Sequence, residues 1–341
     1  MLRNKQRDFG SRPKVLSLVR LAPQSVEMLR READLTQRPW TETHELADPQ
    51  ALSAEIETHG YGALLIEADF VLEETLAAAP TLRFVGVCRA DYEAHVDVKA
   101  ATARGVMVVF TPRRNAEAVA ELTVALMLNL LRPVLRATKF VQSGRWDDPT
   151  AGYFEFRGDE LGSQIVGIVG LGAIGRRTAA LLKPFGCQLL VTDPGLAHDE
   201  IESLGCVPVG LHELLARATF LVVHCPAIPD TMGLIGSEAL ARLPSGARLV
   251  ATSGGGVVDA TAAAQALHSG HLAGAAVDVF DTHPIAPDNP LLGAPNTILL
   301  PHIGGATEAT VTRYSDMVVR DYLRFLAGRL PINLANREVA V

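Results

Sequence analysis

The sequence predicts an α/β protein of two domains, each built around a parallel sheet. One observation is its length, because 341 residues exceed what a single hydrophobic core usually organises. Another is the alternation of short β-branched runs with Ala- and Leu-rich helical stretches, which is typical of βαβ units. Several of these runs are apolar without alternating, as expected of strands that helices cover on both faces.

Strands are predicted where such runs are bounded by turn-forming residues. No internal repeat or low-complexity tract interrupts the series. The predicted strands are Val15–Val19, Ala63–Ile66, Phe84–Val87, Val106–Val109, Ile165–Val169, Gln188–Thr192, Phe220–Val223, Arg248–Thr252, Ala275–Val279 and Thr297–Leu300.

A long helical pattern from Asn115 to Gln142 marks the boundary between the domains. It starts with Asn115 as a candidate N-cap and continues through the apolar segment AVAELTVALMLNLL. Residues Ala306 to Leu326 are predicted to form one amphipathic helix that returns to the first domain. The predicted domains are therefore residues 1–114 with 306–341, and residues 115–305. Two crossovers would leave a cleft between them, where a ligand is expected.

Composition excludes several classes of protein. The net charge of −7 includes no basic run of the kind that binds nucleic acid. The longest apolar stretches are far shorter than a membrane span, so no membrane partner is expected. The basic first dozen residues lack the apolar core of a signal peptide, and we expect a frayed or docked terminus. The four cysteines stand singly with no CxxC pair, which indicates reduced thiols in a cytoplasmic protein rather than disulfides or a metal site.

A glycine-rich turn between an apolar strand and a helix is the most informative motif. The pattern G-x-G-x-x-G is formed by Gly170, Gly172 and Gly175. Gly170 permits the tight turn, Gly172 lets the backbone approach a pyrophosphate, and Gly175 allows close packing of the helix against the strand. At the start of the helix, the N–H groups of Ala173 and Ile174 supply donors and a favourable dipole for phosphate. This context predicts a Rossmann dinucleotide-binding unit.

The residue that ends the second strand of this unit distinguishes the two nicotinamide cofactors. Asp193 can accept hydrogen bonds from the ribose hydroxyls and would repel a 2′-phosphate. The residues that follow, PGLAHDE, offer no Arg or Lys that could bind such a phosphate. The predicted cofactor is therefore NAD rather than NADP.

Several further segments, in the same order along the chain, resemble the D-isomer-specific 2-hydroxyacid dehydrogenases, the family that includes phosphoglycerate dehydrogenase and D-lactate dehydrogenase. The resemblance runs from about Phe84 to the C-terminus. It implies an NAD-binding Rossmann domain inserted into a flavodoxin-like substrate domain, a small-molecule substrate, and a homodimer formed through the long helix and its neighbours. The segments that carry it are TPRRNAEAVAELTVALML, VGIVGLGAIGRRTA, HCPAIPDTMGLIG, GGGVVDA, GAAVDVFDTHP and PHIGGAT.

In that family a histidine exchanges a proton with the substrate hydroxyl, a glutamate pairs with the histidine and raises its pKa, and an arginine holds the substrate carboxylate. The resemblance assigns the histidine to His302, as general acid and base. It assigns Pro226, Thr231, Thr252 and Asp278 to the cofactor site. The alternative for His302 is a capping or core histidine, and for Asp278 a strand-end residue that caps the next turn.

The other two catalytic positions depart from the family pattern. Where the family has T-A-R-G-G-V-V-D, this chain has TSGGGVVD, so the arginine position is Gly254. Where the family has D-V-F-x-x-E-P, this chain has DVFDTHP, so the glutamate position is His283. Glycine cannot imitate the bidentate carboxylate clamp of arginine, and histidine removes the anion that favours protonation of the neighbouring imidazole.

If His283 points at His302, two imidazoles share the site, and the first proton bound opposes the second. We expect the apparent pKa of such a pair to lie below that of the family's His–Glu pair. A neutral imidazole at neutral pH suits hydride removal from an alcohol, where a base is needed, better than reduction of a ketone.

A third departure lies in the substrate domain, where the family's loop after its fourth strand is rich in glycine and receives the substrate carboxylate on its backbone N–H groups. The matching segment here, CRADYEAHVD, contains no glycine. Arg89 in this segment, and Arg113 or Arg114 further along, are candidates for the replacement positive charge. They would equally be solvated or paired with nearby acids.

Three functions remain open from the sequence. The first is an NAD-dependent dehydrogenase with a changed hydroxy-acid or alcohol substrate. The second is a redox-neutral NAD-using enzyme, such as an epimerase or a dehydratase, and the third is a catalytically silent NAD-binding sensor or interaction protein. The nicotinamide-side residues and His302 favour the first, because a protein that binds only the adenine half does not need them.

Overall fold

The computed structural model describes residues 12–144, 146–252 and 254–340, and the chain divides into two compact units. Unit 1 is formed by the chain up to Arg114 together with the segment from Thr307 onward, and unit 2 is Asn115–Ala306. Both divisions lie within one residue of the predicted boundaries. The basic N-terminal segment lies outside the described residues, except for Arg12.

Unit 1 contains a five-stranded parallel sheet. Its strands are β1 (Lys14–Ser17), β2 (Asp34–Gln37), β3 (Ala63–Ile66), β4 (Phe84–Val87) and β5 (Met107–Phe110). They lie in the order β2–β1–β3–β4–β5. All residues of β3 and β4 are buried, and alternate residues belong to two separate hydrophobic clusters. Both faces of the sheet are therefore covered, which explains the uninterrupted apolar sequences of these strands.

Helices provide the two covering layers of unit 1. The C-terminal helix Glu308–Leu326, predicted as 306–326, approaches the sheet at Gly86, where an added Cβ would overlap Val318. Its Tyr322 packs edge-on against Phe84, with ring centroids 5.1 Å apart. The other helices are α1 (Pro23–Glu32), α2 (Trp40–Thr43), α3 (Pro49–His59), α4 (Glu73–Ala78) and α5 (Val98–Ala103).

Unit 2 contains a seven-stranded parallel sheet. Its strands are β6 (Ile165–Val169), β7 (Gln188–Thr192), β8 (Val207–Pro208), β9 (Phe220–Val223), β10 (Ala247–Ala251), β11 (Leu272–Val277) and β12 (Thr297–Leu299). They lie in the order β12–β11–β10–β9–β6–β7–β8. The chain leaves β6 towards β7 and β8 and then returns to β9 on its other side. Ligands of open parallel sheets bind at the carboxyl ends of the strands where the order reverses in this way.

The long helical pattern predicted from Asn115 to Gln142 is two helices, so the prediction of one helix is wrong. The helices are α6 (Ala116–Leu131) and α7 (Val134–Gln142), bent by 60° at the intervening Pro133, which cannot continue an α-helical hydrogen-bond series. Asn115 occupies the N-cap position of α6, but its side chain makes no capping hydrogen bond. The remaining helices are α8 (Ala151–Glu155), α9 (Ala173–Leu182), α10 (His198–Ser203), α11 (Leu211–Arg217), α12 (Ser237–Arg242), α13 (Ala260–His268) and the C-terminal helix, hereafter α14.

No single helix of the described residues is long and apolar enough to span a bilayer, and α6 with α7 reaches that length and apolar composition only as a bent pair.

Candidate active site in unit 2

The glycine-rich turn after β6 has the backbone geometry that its sequence predicts. Gly170 has φ +93°, in the region that favours glycine, and an added Cβ would lie 2.7 Å from the backbone nitrogen of Cys225. An added Cβ at Gly175 would overlap the carbonyl oxygen of Gly170. The turn is therefore packed against both β9 and α9, and neither glycine leaves room for a side chain.

The second glycine of the motif differs from the other two. A Cβ added at Gly172 would meet no atom within 4 Å, so the backbone here faces open space. The first hydrogen bond within α9 runs from the N–H of Arg176 to the oxygen of Gly172, at 2.9 Å. The N–H groups of Ala173 and Ile174 precede it and have no partner within the helix. This cradle fits a pyrophosphate, which would occupy the open space and accept from those amides.

Asp193 is tied to the same turn. Its Oδ2 accepts a 2.7 Å hydrogen bond from the N–H of Leu171, and its Oδ1 accepts one of 2.9 Å from the N–H of Gly195. Each carboxylate oxygen has a second lone pair, so both remain able to accept from ribose hydroxyls. The prediction that Asp193 binds the ribose stays a prediction, and this geometry holds the carboxylate next to the phosphate cradle.

A buried histidine beneath the turn was not singled out from the sequence. His224 follows β9, and its Nε2 lies 3.0 Å from Oγ1 of Thr178 on α9. Burial lowers the pKa of His224 to about 3, so its ring is neutral at physiological pH. The available signal was its position directly after the apolar run FLVV of β9. Through this contact His224 links the end of β9 to α9, the helix that follows the glycine-rich turn.

The loop after β9 carries two of the residues assigned to the cofactor site. Pro226 is exposed, and its carbonyl oxygen accepts a 2.5 Å hydrogen bond from the hydroxyl of Thr231. The same hydroxyl oxygen accepts from the N–H of Ile228 at 3.0 Å, which closes the loop on itself. Thr252 is buried, and its hydroxyl lies 2.8 Å from that of Thr123 on α6. The side chains of both threonines are thus used within unit 2, and their predicted cofactor contacts stay predictions.

The glycine at the arginine position belongs to a tightly packed loop. Gly254 has φ +67°, and an added Cβ would overlap the carbonyl oxygen of Cys225 and lie 2.8 Å from Cγ2 of Val257. The preceding Ser253 lies outside the described residues. A Cβ on Gly255 would likewise overlap the carbonyl oxygen of Phe280. The loop therefore packs backbone against backbone where the family carries a long side chain.

His283 and His302 meet in this structure. Their ring centroids are 4.8 Å apart and the rings are tilted by 44°. Both residues are exposed, and His302 has φ +56°, in the left-handed region. The two loops that carry them follow β11 and β12, which are neighbours in the sheet. The two imidazoles therefore share one site, which the sequence alone left open.

Asp278 follows β11 and is fully buried. Its Oδ1 accepts from the N–H of Ile303 and its Oδ2 from the N–H of Gly304, each at 2.8 Å. The carboxylate therefore caps the turn that contains His302. Its assignment to the nicotinamide remains a prediction, and the contacts within the protein are those of a residue that fixes this turn.

A cavity of about 520 Å³ adjoins Gly254 and Gly256. Of the described residues that line it, three bear carboxylates, Asp259, Asp281 and Asp288, and none is Lys, Arg or His. Three negative charges around one cavity disfavour the binding of a further anion. This side of the site therefore offers no replacement for the family's arginine. Among the described residues, no group of three or more His, Cys, Asp or Glu side chains is arranged to hold a metal ion.

The arginines predicted to supply positive charge lie in unit 1, and two of them have carboxylate partners. Arg89 binds Asp91 through two hydrogen bonds, of 2.9 and 3.1 Å. Burial opposes ionisation of Asp91, but the hydrogen bond and charge of Arg89 outweigh it and lower the pKa of Asp91. Arg113 is exposed with φ +62°.

Arg114 is held more firmly. Its guanidinium lies 3.0 Å from Glu67, and the two side chains are only 11% and 15% exposed. It also lies over the ring of Tyr314, 5.4 Å from the centroid. Arg114 therefore belongs to a largely buried ion pair in unit 1, and the substrate-binding role predicted for it stays a prediction.

Comparison with known proteins identifies what the chain is similar to. Residues 124–304 match the description D-isomer specific 2-hydroxyacid dehydrogenase, NAD binding domain. The chain is 38% identical to a glyoxylate reductase of Korarchaeum cryptofilum, over 78% of this chain and 80% of that protein. It is 37% identical to a D-3-phosphoglycerate dehydrogenase of Mycobacterium leprae, over 82% of this chain but 52% of that longer protein. Among solved structures, the TT0316 protein from Thermus thermophilus superposes with a TM-score of 0.81 at 31% identity, over 95% of this chain and all of the other.

Proposed function

The chain belongs to the D-isomer-specific 2-hydroxyacid dehydrogenase family, and from that membership we propose that this NAD-dependent dehydrogenase acts on the CH–OH group of a non-standard hydroxy acid or alcohol, with His302 as general acid and base. The observation that carries the proposal is the pair of imidazoles, 4.8 Å apart, at the positions where the family has histidine and glutamate.

The residues that would hold the cofactor are those of the turn after β6. The open backbone at Gly172 and the amides of Ala173 and Ile174 fit the pyrophosphate, and Asp193 is available for the ribose. NAD supplies the hydride acceptor, and in the reverse direction the hydride donor. The rest of the chemistry is positioning of the substrate and transfer of one proton, both of which fall to side chains of this chain.

In the oxidative direction, an imidazole nitrogen of His302 accepts the proton of the substrate hydroxyl as hydride leaves the carbon. In the reductive direction the same nitrogen returns the proton to the oxygen. His283 cannot supply the negative charge that a glutamate gives to its histidine, so protonation of His302 gains nothing from its partner. We therefore propose that His302 works best as a base, in the oxidative direction.

The substrate's anionic group, where it has one, must be held differently from the family pattern. Gly254 has no side chain, and the charged residues among those that line the cavity beside it are three aspartates. Arg114 is committed to Glu67. Arg89 remains the better candidate, because its partner Asp91 is largely exposed and an incoming carboxylate can take its place.

The experiment that tests the function is a substrate panel with NAD, read as formation of NADH. It contains 2-hydroxy acids, including glycolate and D-3-phosphoglycerate, and simple secondary alcohols; glyoxylate with NADH tests the reverse direction. We expect turnover with at least one member, and a loss of about 10²- to 10⁴-fold on His302→Ala with NADH binding retained. NADH that stays bound through purification, without net turnover, would instead support the redox-neutral alternative. NADH binding with no turnover, unchanged by His302→Ala, would support the silent one.

We further propose a homodimer, formed as the family resemblance implies through the α6–α8 region. The segment from α7 to α8 exposes a concentration of large apolar side chains, which is typical of surfaces covered by a partner. They are Val134, Leu135, Val141, Tyr153 and Phe154, between 50% and 74% exposed. Light scattering at micromolar concentration should give a mass of twice the 36.4 kDa of one chain. Leu135→Lys should shift the measured mass towards that of a single chain.

A reducing, cytoplasmic location is the last part of the proposal. Cys88, Cys187, Cys206 and Cys225 are all free thiols in the described structure, and at least three are buried. Localisation of a tagged full-length chain tests this directly, with recovery from the soluble cytoplasmic fraction as the expected result.

A further inference from the structure

A second cavity of unit 2, of about 440 Å³, lies at the amino ends of three neighbouring strands and is called here the amino-end cavity. Its lining includes Arg248, Ala273 and Thr297, each the first or second residue of β10, β11 or β12. The loops of His283 and His302 instead follow the carboxyl ends of the same parallel sheet, as does the glycine-rich turn. A ligand in the amino-end cavity would therefore bind apart from the candidate active site.

Positive charge predominates around the amino-end cavity. Of the described residues that line it, four are cationic and two bear carboxylates. They are Arg136, Lys139, Arg157 and Arg248, against Glu155 and Asp159. The carboxyl end of α6 also lies here, but it contributes only about half a negative charge. The cavity therefore attracts anions, in contrast to the cavity beside Gly254, whose charged lining residues are three aspartates.

The cations of the amino-end cavity are only weakly engaged within the protein. The side chain of Arg248 is 17% exposed, and its Nη2 lies 3.4 Å from Oδ2 of Asp159, whose side chain is 60% exposed. Arg136 donates to the neutral Oδ1 of Asn296 at 3.3 Å. Within the part of the chain that the structure describes, Lys139 and Arg157 have no carboxylate partner. Most of the N–H donors around the cavity are therefore available to a ligand.

The walls of the amino-end cavity are fixed by close backbone packing. The loop that carries Arg157 and Asp159 lies against the end of α6, because an added Cβ at Gly158 would overlap the carbonyl oxygen of Leu131. On the other side, the carbonyl oxygen of Asn296 accepts a 3.1 Å hydrogen bond from an N–H of β11. Donors on such a frame need little ordering when a ligand binds, which favours affinity.

We propose that the amino-end cavity binds a small anion with two or more negative charges, such as a phosphate ester or a tricarboxylate. The guanidinium of Arg248 offers the paired N–H donors that recognise phosphate and carboxylate groups. Its long contact to the exposed Asp159 is one that an incoming anion can replace. Arg136, Lys139 and Arg157 add the charge that holds the remainder of the ligand. The proposal goes beyond the proposed function and does not depend on it.

The amino-end cavity also adjoins the surface proposed for the homodimer, because Leu135 lines the one and belongs to the other. A symmetric dimer brings the same surface of two chains together, so positive residues beside it would repel one another. An anion in each cavity reduces that repulsion. The alternative occupant, a carboxylate of the second chain, must be distinguished by the test.

Isothermal titration calorimetry of the full-length chain, with pyrophosphate and with citrate, tests the proposal. The chain is saturated with NADH, so that pyrophosphate cannot enter the phosphate cradle after β6. We expect one anion per chain, and a loss of affinity of about 10- to 100-fold in Arg157→Gln and in Arg248→Gln, as removal of hydrogen bonds to a charged group produces. Arg157 is exposed, so its variant keeps the test valid if Arg248→Gln does not fold.

Arg242→Gln is the matched control. It removes the same charge from the same unit, but Arg242 lies outside the cavity and pairs with Glu238 at 2.8 Å. Its affinity for either anion should change less than twofold. Tighter binding of pyrophosphate would identify phosphate esters as the ligand class, and tighter binding of citrate would identify tricarboxylates.

Two results would overturn the proposal. One is the absence of binding of both anions at about 10 mM, or equal affinity in Arg157→Gln and the control. The other is a dimer that dissociates in Arg157→Gln and Arg248→Gln but not in Arg242→Gln, without any binding of anions, since the occupant would then be the second chain. Neither readout requires turnover, so failure of the proposed function would leave this result standing.

Discussion

Restoring the family's arginine by Gly254→Arg should damage this protein rather than improve it. Position 254 looks from the sequence like a simple loss of a side chain, which a single substitution would reverse. In the structure its backbone has φ +67°, and the space for a Cβ is taken by the carbonyl oxygen of Cys225 and by Val257. An arginine there must first move the loop, before its guanidinium can reach any substrate.

The cost can be worked from those two features. The left-handed conformation costs a residue with a Cβ about 1–2 kcal/mol. Displacing the packed backbone and side chain adds roughly 1–3 kcal/mol, which is typical of overpacking. The sum is about 2–5 kcal/mol of the free energy of unfolding of unit 2. For a domain of this size each kcal/mol lowers Tm by about 2–4 °C, so a fall of roughly 4–20 °C is expected.

The fall in Tm of Gly254→Arg is measured by thermal unfolding, followed by circular dichroism. The activity of the variant is measured on the substrate panel. Gly293→Arg is the matched control: it adds the same charge to the same unit, at an exposed glycine where an added Cβ meets nothing within 4 Å. It should unfold within about 1 °C of the parent. A Gly254→Arg variant as stable as this control, and more active on 2-oxo acids, would refute the reasoning, since the loop would then accept the arginine freely.

Three further predictions concern single sites. Gly172→Ala should leave Tm nearly unchanged and weaken NADH binding, because an added Cβ meets no protein atom there. Gly175→Ala, whose Cβ overlaps the backbone, should lower the free energy of unfolding in urea by about 2–4 kcal/mol. Equal losses of stability in the two variants would contradict the roles assigned to these glycines. Arg114→Met should destabilise by about 2–4 kcal/mol, because it leaves Glu67 largely buried without its partner, and a loss below 0.5 kcal/mol would show the pair to be unimportant. Burial raises the pKa of Asp69, and its Oδ2 has no hydrogen-bond partner among the residues that the structure describes, so ionisation above that pKa costs stability that protonation restores. Asp69→Asn should therefore raise Tm at pH 7 to 8, by an amount that shrinks as the pH falls through the raised pKa, and a gain that grows on acidification would have the wrong sign.

The two strands that the sequence missed, β2 and β8, lie at sheet edges, whereas two other edge strands, β5 and β12, were predicted. The sequence of β2, DLTQ, is mostly polar with partly exposed residues, and β8 has two residues, one of them Pro208. An edge strand has one neighbour and can face solvent, so it needs neither an apolar run nor a full set of N–H donors. A hydrophobic pattern therefore predicts the central strands of a sheet, whereas an edge strand can lack such a pattern and escape prediction.

The site divides in a similar way between local and distant causes. The roles of Gly170, Gly172 and Gly175 follow from the geometry of one turn, so a short motif was enough to predict their backbone conformations. The packing of Gly254 against Cys225 joins two loops that are distant in sequence, and no local pattern reports it. The helix break at Pro133 was visible in the sequence, but the apolar periodicity on both sides of it concealed the change of direction.

The contact of the two histidines was within reach of sequence reasoning, because neighbouring parallel strands bring the loops at their carboxyl ends together. His283 follows β11 and His302 follows β12, which pair directly. The ion-pair partners of the arginines could not be predicted from the sequence. Glu67 and Arg114 stand on loops whose side-chain directions depend on the packing of α14. Charged residues on loops can be counted from a sequence, but their pairing cannot.

The two departures from the family pattern support each other. A site that lost only its glutamate would keep an arginine beside His302, and that cation would oppose any protonation of the imidazole. Here the cation and the anion are both absent, so the formal charge of the two positions together is the same as in the family. The vacated arginine position is filled by close backbone packing, and the glutamate position holds a second imidazole in contact with the first. A site decaying without function has no reason to keep the contact of the two imidazoles or the buried carboxylate of Asp278 that caps the turn of His302. These features favour a dehydrogenase adapted to a different substrate over a silent NAD-binding protein.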